Sequence, residues 1–504
     1  MSTSSRKLRI AFIHPDLGIG GAERLVVDAA LGLQNLGHSV DIYTSHHDPS
    51  HCFEETRDGT LRVHYVVPPF PRSLKGKLHI LFAHLRQLHL TQHLMRTSAT
   101  QYDVFFVDQL STCIPLLRLL AKKRVVFYCH FPDKLLANGE FVDGNDEAKR
   151  RKRKQALLKR VYRFPMDWLE EKTTEQADIL LANSQFTARV FNSHFSIPRT
   201  PRVVYPGINI SAYDVSPNEA DPGVLNVLSD RPTLLSLNRF EQKKNAALAV
   251  EAFAILRAKI ANDEGNRKMR LVVAGGYDPR VTDNINTLDH LVAICKQHSI
   301  TYHITSPKKT HSSPTSLPPS TAPSPTTATI LFLLNFTTSQ RSALLTSPHT
   351  LALLYTPTNE HFGIGPVEGM VCGLPVLACD SGGPTETVLA SPREERTGWL
   401  VPPSAESWAD ALEEIVRLPE DERREIARRA RIRARERFGM DKMARDLEEV
   451  LQDAVGMGRI RIRVPASVYV FVGMMVALVA LVVRFFWTRK DLENVVVCDD
   501  TVPE

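Results

Sequence analysis

At 504 residues the chain is long enough for two or three domains, and 43% apolar with 23% charged residues is the composition of an ordinary globular protein. Its 62 basic and 56 acidic residues leave a formal charge of only +6, too little to mark the whole surface for nucleic acid. Seven scattered cysteines (Cys52, Cys113, Cys129, Cys295, Cys372, Cys379, Cys498), mostly in apolar runs and with no C-x-x-C spacing, read as reduced core thiols rather than a disulfide framework, which puts the body of the chain in a reducing compartment.

The amino terminus is read as a strand, not a signal peptide. The apolar core of Arg9 to His14 is a few residues long and runs straight into Pro15 and the loop Gly18-Ile19-Gly20-Gly21. A helix from Arg24 to Leu36, stopped by Gly37, and a strand Ser39 to Thr44 complete a βαβ unit. The glycine loop is not G-x-G-x-x-G, and the second strand has no convincing ribose-binding acid at its end. Leu74 to Met95 is a helix with an apolar stripe and interspersed histidines; a core helix and one pressed onto a membrane fit it equally. Strands Val104 to Val107 and Arg124 to Cys129 follow, the second ending in His130. A histidine at the carboxyl end of a parallel strand faces the ligand edge of the sheet, although a single one is more often structural. The six cations Lys149 to Lys154 are first a solvated helix face and second a contact with membrane or lipid pyrophosphate. Val203 to Asn209, between proline-rich passages, marks an interdomain linker.

The second half repeats the strand–helix alternation. Strand Thr233 to Leu237 leads into Arg239 and Lys244 at its ligand edge. Strand Arg270 to Ala274 is followed by a Ser/Thr/Pro-rich insert, Thr305 to Thr329, that cannot bury a core and is expected to be disordered. The apolar strand Leu351 to Tyr355 ends in Asn359-Glu360-His361-Phe362-Gly363-Ile364-Gly365-Pro366-Val367-Glu368-Gly369-Met370, a strand-to-helix turn whose free amides can receive an anion. Glu360 and Glu368 flank it. Strand Pro375 to Cys379 opens a second glycine turn, Ser381-Gly382-Gly383-Pro384-Thr385-Glu386, another candidate phosphate cradle in which Glu386 is a helix cap. Two charged amphipathic helices follow, about Ser404 to Leu418 and Glu420 to Gln452. Val464 to Val483 has no charged residue over 20 positions and is flanked by arginines, the length and composition of a transmembrane helix.

The E-x7-E spacing, its Phe-Gly-Ile-Gly-Pro filling and the Ser381–Glu386 turn resemble the retaining, nucleotide-sugar-dependent glycosyltransferases of family 4. The segment Cys129-His130-Phe131-Pro132-Asp133 narrows the resemblance to the dolichol-pathway α-1,3/α-1,6-mannosyltransferases of N-glycan assembly. The resemblance implies an α/β chain of GT-B fold: two Rossmann-like doubly wound domains facing a cleft, an acceptor-side domain over 1–205 and a donor domain over 206–455, with final helices crossing back to the first, and a transmembrane helix at 464–483. It implies transfer of mannose from GDP-mannose to a dolichyl-pyrophosphate-linked oligosaccharide, without a metal or other cofactor, at the endoplasmic reticulum membrane with the catalytic domains facing the cytosol. Membrane lipid and other N-glycan assembly enzymes are the further partners expected, and nucleic acid is not.

The roles follow from the same match. Arg239 and Lys244, the family's Arg-x4-Lys, meet the diphosphate; Glu360 holds the mannose hydroxyls and Glu368 the ribose diol. His130 orients the mannose or the incoming hydroxyl. Gly20 and Gly21 lie near the donor phosphates and the acceptor, and the turns at Gly363-Ile364 and Gly382-Gly383 lend amides. Retention through a covalent intermediate and retention through same-face displacement both stay open, although no convincing nucleophile is found. The rival readings are a related lipid glycosyltransferase with another donor or acceptor, and a catalytically silent membrane scaffold.

Overall fold

The first sheet is built largely from strands with apolar middles, Asp41 and His64 being the polar exceptions. In a computed structural model that describes residues 6–74, 78–136, 163–213, 220–306 and 317–458, with Ile460 and Gly473 beyond them, these are β1 (Arg9–His14), β2 (Ser39–Thr44), β3 (Arg62–Tyr65), β4 (Val104–Asp108), β5 (Arg124–Cys129), β6 (Ile179–Ala182) and β7 (Arg202–Val203). They pair in parallel in the order β3-β2-β1-β4-β5-β6-β7. Parallel strands buried on both faces need no alternation of polar and apolar residues, which is why β4 reads Val-Phe-Phe-Val. Helices α1 (Gly21–Asn35), α2 (His79–Thr97) and α3 (Gln185–His194) accompany this sheet. Along α2 the buried side chains are Leu81, His84, Arg86, Gln87, Leu90, Thr91 and Leu94, and Arg86 donates to Asp16 and to the Ser45 carbonyl, so α2 packs as a core helix.

The second sheet consists of β8 (Thr233–Leu237), β9 (Arg270–Gly275), β10 (Tyr302–Thr305), β11 (Ile330–Leu334), β12 (Thr350–Tyr355), β13 (Val376–Cys379) and β14 (Gly398–Val401), all parallel in the order β10-β11-β9-β8-β12-β13-β14. In each sheet the winding reverses once, between β1 and β4 and between β8 and β12. Ligands of open α/β sheets bind at such switch points.

Part of the Ser/Thr/Pro-rich insert is ordered, contrary to its composition. Residues 307–316 lie outside the described residues, but 317–329 run back along β10. Thr321 and Ala322 donate to the Tyr302 carbonyl, the Tyr302 hydroxyl donates to the Pro319 carbonyl, and Ala322 and Ala328 are buried. Backbone pairing to a strand does for this segment what large apolar side chains would otherwise do.

The helix expected over Glu420 to Gln452 is broken. Helices α4 (Ala246–Lys259), α5 (Ile364–Cys372), α6 (Pro384–Thr387), α7 (Ala405–Val416) and α8 (Glu420–Phe438) belong to the second lobe; α9 (Met440–Gly456) crosses to the first. At the break Ile208 donates to the Phe438 carbonyl and Met440 to the Ile208 carbonyl, so the two strands of chain that pass between lobes pair with each other. Met443, Leu447, Val450, Leu451 and Ala454 of α9 then complete the core of the first lobe beside Val26, Ala30 and Phe106. Residues 1–457 form one unit and 458–504 another. Among the described residues no helix is long and apolar enough to cross a membrane; apart from Gly473, the stretch Val464 to Val483 lies outside them, as do Lys149 to Lys154.

Leu447 is 1% exposed, and removing its side chain leaves a cavity between the lobes' shared helix and the first sheet. Leu447→Ala is expected to cost about 2–5 kcal/mol, read as a lower urea midpoint of the full chain. An unchanged midpoint would show that α9 does not brace the first lobe.

Candidate active site

At the second switch point the chain leaves β8 through a tight turn, Gln242–Lys244, and leaves β12 through Thr356 and the Glu360 loop. The Thr356 hydroxyl donates to the Lys244 carbonyl at 2.6 Å, which ties the two loops together. Lys244 Nζ lies 2.5 Å from Glu360 Oε2, with both side chains largely buried. Burial pushes the Glu360 carboxyl up, but the Lys244 ammonium outweighs it and holds the group below its ordinary value of 4.5. His361, the next residue, is driven down to about 4 by burial and is therefore a neutral ring.

His361 is also where the lobes touch. Its ring stacks on Phe131 of the first lobe, with centroids 3.8 Å apart and 8° between planes, and its carbonyl accepts from the Ser184 hydroxyl. His130, immediately before Phe131, lies within electrostatic reach of His361. Three of the four residues expected to be catalytic, His130, Lys244 and Glu360, are thus gathered around one interlobe contact. Arg239 is not: its guanidinium pairs with Glu241 at 2.9 Å and is 63% exposed.

The turn that carries Gly363 is held by Tyr355 at the end of β12. Gly363 has φ +83°, and a Cβ there would lie 3.1 Å from the Tyr355 ring, so the position demands glycine on both counts. The amides of Ile364 and its neighbours open α5 and have no acceptor within the helix, as a phosphate cradle requires. Tyr355 is buried, and burial together with the nearby carboxylates Glu360 and Glu368 raises its hydroxyl well above its ordinary value. Glu368 accepts from Arg341 at 3.0 Å and from the Tyr213 hydroxyl. It lines a cavity of about 410 Å³ between the lobes, with Arg341, Tyr213 and Ile364 on one side and Ile19, Arg24 and Asp28 on the other. Gly20 and Gly21 stand at the start of α1 next to Ile19, and a Cβ on Gly21 would meet open space.

Of the Gly382-Gly383 turn, the Gly383 amide is already committed within the chain. The Gly383 amide already donates to the Glu360 carbonyl at 2.7 Å, and a Cβ on Gly382 or Gly383 would fall 2.4 Å from the Glu360 carbonyl oxygen or 2.2 Å from that of Phe362. These glycines let one backbone lie directly on another and buttress the Glu360 loop. Glu386, expected to cap its own helix, caps α3 of the other lobe: its carboxylate accepts from the amides of Gln185 and Phe186 at 2.8 and 2.7 Å and from the Tyr205 hydroxyl at 3.0 Å.

Several residues around the site were not singled out from sequence. Asp108 and His14 lie behind His130, with His130 Nε2 2.9 Å from Asp108 Oδ2. The available signal was an acid at the end of an otherwise apolar strand. Arg341, Tyr213 and Tyr355 left no comparable mark, because only the fold brings them to the two glutamates.

Residues 19–212 match the family Glycosyltransferase Family 4, and residues 327–433 match Glycosyl transferases group 1. The alpha-1,3/1,6-mannosyltransferase ALG2 of Rhizomucor pusillus is 42% identical over 89% of this chain and 92% of its own length; that of Yarrowia lipolytica is 40% identical over 94% and 100%, and that of Saccharomyces cerevisiae 38% over 89% and 85%. The chain belongs to the ALG2 mannosyltransferase family. Like the rest of the family it is a glycosyltransferase, and its two parallel sheets are the lobes of a GT-B fold. Solved structures with that fold include Anabaena HepE in complex with UDP and glucose (TM-score 0.60, 17% identity, 88% of this chain and 100% of that one) and the sucrose-phosphate synthase of Thermosynechococcus elongatus (TM-score 0.63, 18%, 90% and 100%).

A carboxylate whose pKa is lower in the folded than in the unfolded chain contributes stability that is present above the unfolded value and is lost as pH falls through the folded one. Acidification below the ordinary glutamate value of 4.5 is therefore expected to lower the urea midpoint, and Glu360→Gln to flatten that part of the profile. An equally steep profile in the variant would mean that the Lys244–Glu360 pair does not persist in solution.

Proposed function

We propose that the chain transfers mannose from GDP-mannose to dolichyl-pyrophosphate-linked GlcNAc2-mannose acceptors, making the α-1,3 and α-1,6 linkages of the N-glycan precursor with retention of configuration. The observation that carries this reading is the joining of Lys244, Glu360 and His130 at an interlobe contact, beside a cavity that presents Glu368. A sugar diphosphate needs cations at its phosphates and acceptors at its hydroxyls, and these groups supply both.

Departure of GDP builds negative charge on its phosphates. Lys244 and the first amides of α5 meet that charge, and they do so more strongly in the transition state than in the ground state. Arg239 joins them by leaving Glu241, which its exposure allows. Lys244 remains beside Glu360 throughout, so the carboxylate stays ionised as it accepts from the mannose hydroxyls. Glu368 takes the ribose diol with its carboxylate fixed by Arg341 and Tyr213. No divalent metal enters this scheme, because fixed cations neutralise the leaving group. The apolar stretch Val464 to Val483 anchors the chain in the endoplasmic reticulum membrane, with both lobes on the reducing, cytosolic side that the buried thiols Cys113, Cys129, Cys295 and Cys379 suit.

Full-length protein given GDP-mannose and a mannosylated chitobiosyl-pyrophosphoryl lipid is expected to yield both linkages on linkage analysis, and to do so with no other sugar nucleotide in a donor panel. Lys244→Ala is expected to lower kcat/KM by about 100-fold or more while circular dichroism and membrane association stay as in the parent. Turnover with a different donor, or normal turnover by the variant, would overturn the reading.

A further inference from the structure

Behind the first lobe's wall of the cleft, three adjacent strand ends carry a linked row of ionisable groups: His14 ends β1, Asp108 ends β4, and His130 follows β5. His14 is 0% exposed and Asp108 1%. His14 Nδ1 lies 2.9 Å from both oxygens of the Asp108 carboxylate, and His14 Nε2 lies 3.0 Å from the Asp16 carbonyl oxygen. A carbonyl oxygen accepts only, and so does an ionised carboxylate. Each nitrogen of His14 must therefore carry a proton, and the ring is an imidazolium whose charge is balanced by Asp108.

His14 and His130 together hold the Asp108 carboxyl below its ordinary value despite its burial, so it is ionised and can only accept from its second neighbour. His130 Nε2, 2.9 Å from Asp108 Oδ2, is then a protonated nitrogen that donates to it. Its Nδ1 makes no hydrogen bond within the described residues and is not among their buried unpartnered atoms, and the side chain is 17% exposed. We propose that His14 and Asp108 are positioning residues that lock His130 in the Nε2–H tautomer, so that its Nδ1 accepts a hydrogen bond from a sugar hydroxyl in the cleft.

The groups that face this row are few. His130 is faced by Asp108 from β4, by the neutral His361 from the loop after β12, and by Tyr128 of its own strand. His14 is faced by Asp108 and by Glu23 of α1, and Asp108 by the two histidines, Tyr128 and the buried Cys113 thiol. Both acids favour the cation on His14, and no ammonium or guanidinium stands among these neighbours to oppose it. Burial lowers the His14 pKa, but the contacts with Asp108, Glu23 and the Asp16 carbonyl outweigh it and raise the value overall.

The test uses the full chain labelled with 15N-histidine and two-bond proton–nitrogen correlation at neutral pH. His14 is expected to be doubly protonated and His130 protonated at Nε2 alone. Asp108→Asn should abolish the His14 cation, mix the His130 tautomers and lower kcat by about 10- to 100-fold. His14→Gln should disturb the His130 tautomer in the same way, although His14 reaches no substrate. The hydroxyl belongs to the donor sugar if the KM for the sugar nucleotide rises in these variants, and to the acceptor if the acceptor KM rises. A neutral His14 or an Nδ1–H His130 in the parent spectrum would overturn the proposal even if neither variant folds, and so would normal turnover by a folded Asp108→Asn chain. The activity arm rests on the mannosyl-transfer reading, whereas the spectra do not, so failure of one is distinguishable from failure of the other.

Discussion

The site depends on two backbones lying closer together than any side chain permits. The Glu360–Phe362 segment rests on Gly382 and Gly383 at distances where a Cβ would collide, and the Gly383 amide fixes the Glu360 carbonyl there. From above, the same loop is held by Phe131 and Ser184 of the other lobe, which take the His361 ring and carbonyl. A loop gripped on two sides keeps its carboxylate in one place, and Lys244 then has a fixed partner. Placing a sugar diphosphate between these groups requires that kind of preorganisation, because a loop that had to reorganise during the reaction would lose the electrostatic advantage.

Buried charges around the cleft come in compensated sets. Glu360 has Lys244, Glu368 has Arg341, Asp108 has His14, and Glu386 has two amides at the start of a helix. Such pairs contribute little net stability compared with apolar packing, while removal of one partner strands a charge and costs several kcal/mol. Their value here lies in specifying geometry. Each one pins a side chain that could otherwise adopt many rotamers, and three of them cross between elements far apart in the chain.

The two-lobed α/β fold was legible because parallel strands buried on both faces announce themselves as short apolar runs, and because glycine turns follow them. The positions of Lys244, Glu360 and His130 were legible for the same reason: each lies just past such a run, where a parallel sheet presents its ligand edge. What stayed hidden depends on tertiary contact. Glycines 382 and 383 look like an anion-binding turn in sequence, and only the neighbouring backbone reveals that the Gly383 amide is already used. Glu386 looks like a local cap for α6, yet the helix start within its reach is that of α3, across the cleft. The ordered part of the Ser/Thr/Pro-rich insert was missed because composition measures how much a segment can bury and is blind to backbone pairing with an adjacent strand.

The interlobe contacts also constrain how the cleft can open. The chain crosses between lobes at Ile208 and at Gly439, and the two crossings are hydrogen-bonded to each other, so rotation about them leaves the apolar seat of α9 in the first lobe intact. Opening must instead release Glu386 from the start of α3, the Ser184 hydroxyl from the His361 carbonyl, and the Phe131–His361 stack. They are polar or aromatic contacts of modest individual strength, whereas the apolar core at α9 is extensive, so they cost less to break than the seat of α9. Those same contacts hold His130 close to His361, the residue next to Glu360.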